Sequence, residues 1–77
     1  MSELLSELCK VPDYQAQRTH IFRSRSAMDW FVRQHKAAMV EAGAMLLIVG
    51  QWHLDPAKCD QFVAEVGRRQ AARRVAA

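Results

Sequence analysis

Arg23-Ser24-Arg25-Ser26-Ala27, followed by Arg33, Gln34 and Lys36, is the densest group of residues able to do chemistry in this sequence. The chemistry is anion binding. Two arginines bracket serines that suit the opening of a helix, and a helix start offers unpaired amides and the positive end of its dipole to a phosphate. Arg33, Gln34 and Lys36 follow one or two turns later, where Arg suits guanine and Gln suits adenine in a major groove. A second basic group, Arg68, Arg69, Arg73 and Arg74, closes the chain with no acid among the last ten residues. Clustered cations of this kind bind a polyanion by releasing its counterions. Gln51 and His53, beside Gly50, are positioned to touch a backbone from a turn. The same residues also suit a solvated helix face and an ordinary turn surface, so the elements that position them matter.

Other chemistries find no support in the sequence. It contains no Gly-rich phosphate loop, no Gly-x-Ser-x-Gly and no His-Glu-x-x-His, and a chain this short has trouble enclosing a pocket that excludes water. A non-enzyme without a cofactor is expected. Cys9 and Cys59 are the only cysteines, with no Cys-x-x-Cys pair, and His20, His35 and His53 are scattered, so no metal site is expected. Cys59 reads as a small apolar core residue and Cys9 as a helix residue near the surface.

The elements follow from periodicity. Leu4, Leu5 and Leu8 behind Ser2 suggest a short helix, stopped at Val11-Pro12-Asp13 because proline disfavours helical geometry in the residue before it. Asp13 to His20 has no clear period and reads as a connection into an extended Thr19-His20-Ile21-Phe22, with Ile21 or Phe22 on the core. Met28, Phe31, Val32, His35, Met39 and Ala42 then share one helical face, capped by either Ser24 or Ser26 and ended at Gly43. That spacing predicts a helix from about Ser26 to Ala42. Ala44 to Val49 and Trp52 to Leu54 read as two short strands turning at Gly50. Asp55-Pro56 is a sharp helix start, and Cys59, Phe62, Val63 and Val66 line the inner face of a last helix. Gly67 is expected to interrupt it, with the arginines continuing as a frayed basic extension.

The sum is a mainly α single domain with a small β-hairpin. Residues 1–20 form an N-terminal helix and connection, 21–66 the core and 67–77 the basic extension. Net charge is +3, but residues 1–17 carry −2 and residues 18–36 carry +4, an asymmetry that favours an anionic partner. The longest apolar run, Ala44 to Val49, is far short of the roughly 18 residues that cross a bilayer. Met1 to Lys10 holds acids where a signal peptide carries cations, so a cytoplasmic location away from membranes is expected.

Helix, hairpin and helix after an extended lead-in is the outline of a winged helix-turn-helix domain. Phe22 to Phe31, then Glu41-Ala42-Gly43-Ala44, Gly50-Gln51-Trp52-His53-Leu54-Asp55-Pro56 and Phe62, resembles the small excisionase and AlpA-like proteins of phages and integrative elements. The likeness covers about residues 21–66. It implies double-stranded DNA binding beside a tyrosine recombinase, as a directionality factor for excision, or repression of nearby promoters. The chain departs from that pattern at Gln51, where a basic residue usually stands, and at Asp29, where an arginine does.

Those departures leave room for a protein-binding module that kept the scaffold and lost DNA readout. Its partner would be a second copy, a host protein or a phage protein, met through Trp30, Met39 or the helix bearing Leu4, Leu5 and Leu8. Tryptophan suits such a surface because it recurs at interface hot spots. Trp52 is instead expected to close the hairpin onto Phe62.

Overall fold

The computed structural model describes residues 2–76, with side chains from Leu5 onward. Its elements are α1 (Ser2–Glu7), α2 (Val11–Gln17), α3 (Arg25–Glu41), β1 (Met45–Ile48), β2 (Gln51–Leu54) and α4 (Pro56–Ala76). The protein is mostly helical, with one small antiparallel hairpin.

The first departure from the sequence reading is α2, where a connection was expected. Pro12 sits in the first turn, where its missing N–H costs nothing, and Asp13 in that turn complements the helix dipole. The residues read as a helix stop therefore start α2, while α1 itself ends earlier, at Glu7. Tyr14 drops into the core with almost no exposure. Nor is the Thr19–Phe22 segment extended, since the Ile21 and Phe22 amides both donate to the Arg18 carbonyl, at 3.0 and 2.8 Å. That turn sends Phe22 inward and leaves Ile21 exposed.

Helix α3 lies within a residue of expectation. Ser24 is the cap, its Oγ accepting from the Ala27 amide at 3.2 Å. At the other end the Gly43 amide donates to Val40 at 3.1 Å and the Ala44 amide to Met39 at 2.9 Å, while Gly43 takes φ +77°. This paired closure requires a left-handed residue that glycine adopts without a Cβ penalty. Met28 and Met39 are fully buried on the inner face. Each contributes about 1.5–3 kcal/mol of apolar transfer.

In the hairpin, Met45 faces Leu54 and Leu47 faces Trp52. The turn is Val49-Gly50, one residue earlier than expected, with φ of 51° and 71°. Two positive values are the signature of the type I′ turn, whose twist matches that of the strands. Beyond β2, Cys9 exchanges both backbone hydrogen bonds with Leu54, at 3.0 and 2.7 Å. Cys9 is thus a strand-like bridge and not a helix residue.

Asp55 is buried and caps α4, its Oδ1 accepting from Ala57 at 3.1 Å and Lys58 at 3.3 Å. Its amide donates to the Ala44 carbonyl at 3.0 Å, pinning the start of α4 to the end of α3. Cys59 is fully buried, and Phe62 and Val63 pack on the core. Phe31 joins Phe22, at 5.3 Å between ring centroids, to Phe62, at 6.1 Å. Helix α4 runs unbroken through Gly67, contrary to expectation, and residues 67–76 are exposed. Among the described residues no helix is long and apolar enough to cross a membrane.

Candidate nucleic-acid interface

The N-terminal half of α3 presents an outer face that no other element covers. Arg25, Ser26, Ala27, Asp29, Trp30, Arg33 and Gln34 are all exposed. Ser24 Oγ accepts from the Ala27 amide, so its established contribution is to cap the start of the helix. The Arg25 and Ser26 amides in the first turn have no intrahelical acceptor. Ser26, Asp29, Trp30 and Arg33, at spacings of three and four, line an open cleft of about 300 Å³.

Charge on this face is partly compensated. Arg25 Nε donates to Asp29 Oδ1 at 3.3 Å between two well-exposed side chains, a pair worth only about 0.3–0.5 kcal/mol. Asp29 thereby tempers the cation next to it. Arg23 and Arg33 have no ion-pair partner among the described residues.

The hairpin meets the same helix farther along. Lys36 Nζ stands 4.4 Å from the centre of the Trp52 ring, a cation–π contact that joins α3 to β2. Trp52 also packs on the core. Gln51 is exposed, and its Oε1 accepts from Lys10 Nζ at 2.7 Å. That contact brings a cation to the hairpin from outside the expected set. His53 is half-buried, with Nδ1 3.1 Å from the Gln51 carbonyl, so it serves the strand more than an outside ligand.

The basic extension lies apart from this face. Arg68 and Arg69 both reach Glu65, at 2.6 and 3.6 Å, and hold its carboxyl below the usual range, Arg68 most strongly. With Glu41 and Lys58 they line a separate groove between α3 and α4. Arg73 and Arg74 lie in the last turn, where cations suit the negative end of the helix dipole.

The residues expected for a protein partner divide. Trp30 is 61% exposed and Leu5 is exposed, whereas Leu8 is half-buried. Met39 is fully buried and belongs to no surface, because the inner stripe of α3 rotates it onto the core. The side chain of Leu4 lies outside the described residues.

One constellation escaped sequence reasoning. Asp60 accepts from Tyr14 Oη at 2.5 Å, from Arg18 Nε at 2.5 Å and from Arg18 Nη2 at 2.8 Å. The guanidinium also stands 4.1 Å from the Tyr14 ring centre. Burial and the bond to Asp60 raise the Tyr14 phenol, so it stays a donor, and Arg18 holds the Asp60 carboxyl below its ordinary value. The only signal was the spacing of Val11, Tyr14 and Arg18 along one helical face, hidden once Pro12 was read as a stop. No protein-family model, curated protein or solved structure matches the chain.

Proposed function

We propose that this protein binds double-stranded DNA as a winged helix, with the N-terminal half of α3 in the major groove and the hairpin on the adjacent backbone. The observation that carries the proposal is the uncovered face of α3, where Arg33 has no ion-pair partner, with Arg23 likewise unpaired just before the Ser24 cap and the Arg25 and Ser26 amides open at the helix start. Such a face matches phosphate and base edges together. Element order supports it as well. Helix, strand-like bridge at Cys9, helix, helix and hairpin follow one another, and the bridge extends the hairpin by a third strand position.

Arg73 and Arg74 on the extension add phosphate contacts away from the groove, with Lys10 and Lys36 near the hairpin. A role as an excision directionality factor beside a tyrosine recombinase, or as a local repressor, is the finer form of this proposal. Binding to duplex from its genomic neighbourhood and to scrambled duplex, across a salt series, tests it. The expected result is preference for the local site, with the salt slope falling by about 0.9 for each of Arg23→Ala and Arg73→Ala. Equal, weak binding to both duplexes would shift the assignment to a protein partner, for which the exposed Trp30 is the favouring observation.

A further inference from the structure

Trp30 and Arg33 stand three positions apart on the outer face of α3 and share the cleft closed by Ser26 and Asp29. We infer that they form a two-base reader, Trp30 packing on a thymine methyl and Arg33 pairing the guanine of the neighbouring base pair. The inference rests on the DNA-binding reading above and assigns specificity within that same face.

Exposure is the first support. An indole left 61% exposed on a helix forgoes apolar burial, and the same helix has already turned Met28 and Met39 fully inward. Trp30 is therefore outside the core because of its angular position, on the side that faces a ligand. In the major groove the apolar group available to such a ring is the C5-methyl of thymine.

Charge is the second. Arg33 has no ion-pair partner among the described residues, and its planar fork fits the O6 and N7 acceptors of guanine. Asp29, on the same cleft, repels phosphate oxygens. Asp29 is already engaged by Arg25, at 3.3 Å, which leaves Arg33 as the uncompensated cation of the cleft.

Spacing is the third. Residues three apart on a helix have Cβ atoms about 5–6 Å from each other, close enough for long side chains to converge on base pairs about 3.4 Å apart. Ser26 before Trp30 and Ala37 after it are small and exposed on the same face, which lets the helix axis approach the groove floor.

The test uses the full chain and duplexes it retains from a random-sequence pool at physiological salt. Each thymine of the retained site is replaced in turn by deoxyuridine, which removes only the methyl. One replacement is expected to weaken the wild type about fourfold, the worth of one buried carbon, and to leave Trp30→Ala unaffected. Arg33→Ala should lose guanine preference at the neighbouring base pair and keep its sensitivity to deoxyuridine. Circular dichroism of Trp30→Ala serves as the folding control, and the exposed site makes a native spectrum the expected result.

Equal deoxyuridine ratios for the wild type and Trp30→Ala on a retained site would overturn the inference and leave DNA binding standing. Retention without sequence preference would overturn it too, leaving a non-specific binder. If no duplex is retained, the DNA-binding reading fails and the inference fails with it.

Discussion

Arg18 grips Asp60 with both edges of its guanidinium, Nε on Oδ1 at 2.5 Å and Nη2 on Oδ2 at 2.8 Å, across 42 positions of sequence. The fork ties α2 to α4, and Tyr14 Oη adds a third bond to the same carboxylate at 2.5 Å. Because Tyr14 is buried between these elements, losing the acid would also weaken a buried hydrogen bond. The groove beside this network, lined by Ile21 and Ala64, is about 540 Å³ and open.

Asp60→Asn is therefore expected to cost about 1–2 kcal/mol at neutral pH, discounted because the carboxylate is half-exposed. The folded-state value of Asp60 lies below the 3.8 of the unfolded chain, chiefly through the Arg18 bond. The stabilisation is thus whole above 3.8 and is lost as pH falls through the lower folded value. Urea midpoints of the two proteins should converge at acid pH. A gap that stays constant down to the acid limb would assign the cost to shape alone.

Cys59 should be inert in the native protein. It is fully buried, and burial pushes its thiol up to about 11, so little thiolate exists at neutral pH and little of it is reachable. Cys9 is half-buried and also raised, first by desolvation. Thiol titration with a chromogenic disulfide should modify Cys9 slowly, Cys59 only at the rate of unfolding, and both at once in denaturant. Rapid native modification of the Cys9→Ser variant would contradict the packing around α4.

Val49 is the costliest residue of the hairpin turn. It holds φ 51° with a β-branched side chain and is 95% exposed, so it has strain and almost no packing. Asparagine adopts that conformation more easily, and Asn-Gly is the preferred pair in a type I′ turn. Val49→Asn should raise stability by about 1 kcal/mol, read as a higher urea midpoint at unchanged slope. A lower midpoint would mean that the exposed valine contributes something the strain does not outweigh.

How far the sequence is legible depends on the range over which each signal acts. Helix α3 was visible because its stripe, its serine cap and the glycine at its end are local and agree with one another. Asp55-Pro56 was visible for the same reason. Helix α2 was hidden because a proline that reads as a helix stop also fits the first turn of a helix, and seven residues show less than two full periods. The Asp60 network pairs α2 with a residue 46 positions beyond Tyr14, and no local pattern encodes such a distance. On the candidate face, which residues share α3 could be read from spacing. The Arg25–Asp29 pair, four positions apart, could be read in the same way, whereas Lys10 reaching Gln51 across 41 positions could not. Met39 was assigned to a surface while its own stripe placed it inside, a conflict the periodicity alone should have resolved.

Gly67 lies in a continuous helix at a point where an added Cβ would meet nothing within 4 Å. Beyond it, residues 68–76 are held by helix propagation and by Arg68 and Arg69 reaching back to Glu65, without burial. Alanine there should stabilise the extension by about 0.8–1 kcal/mol, through backbone entropy alone. Ellipticity at the helical minimum should rise and amide exchange over 68–74 slow by about fivefold, with the core transition little changed. Gly67→Pro should do the reverse, fraying the extension and leaving the core intact. Charge is the same in all three proteins, so a duplex titration separates order from electrostatics. If Arg73 and Arg74 meet phosphates from a helix, Gly67→Ala binds more tightly at an unchanged salt slope, and Gly67→Pro binds more weakly. Equal affinities for all three would mean that the extension acts as a diffuse cationic tail, whose helical order contributes nothing to binding.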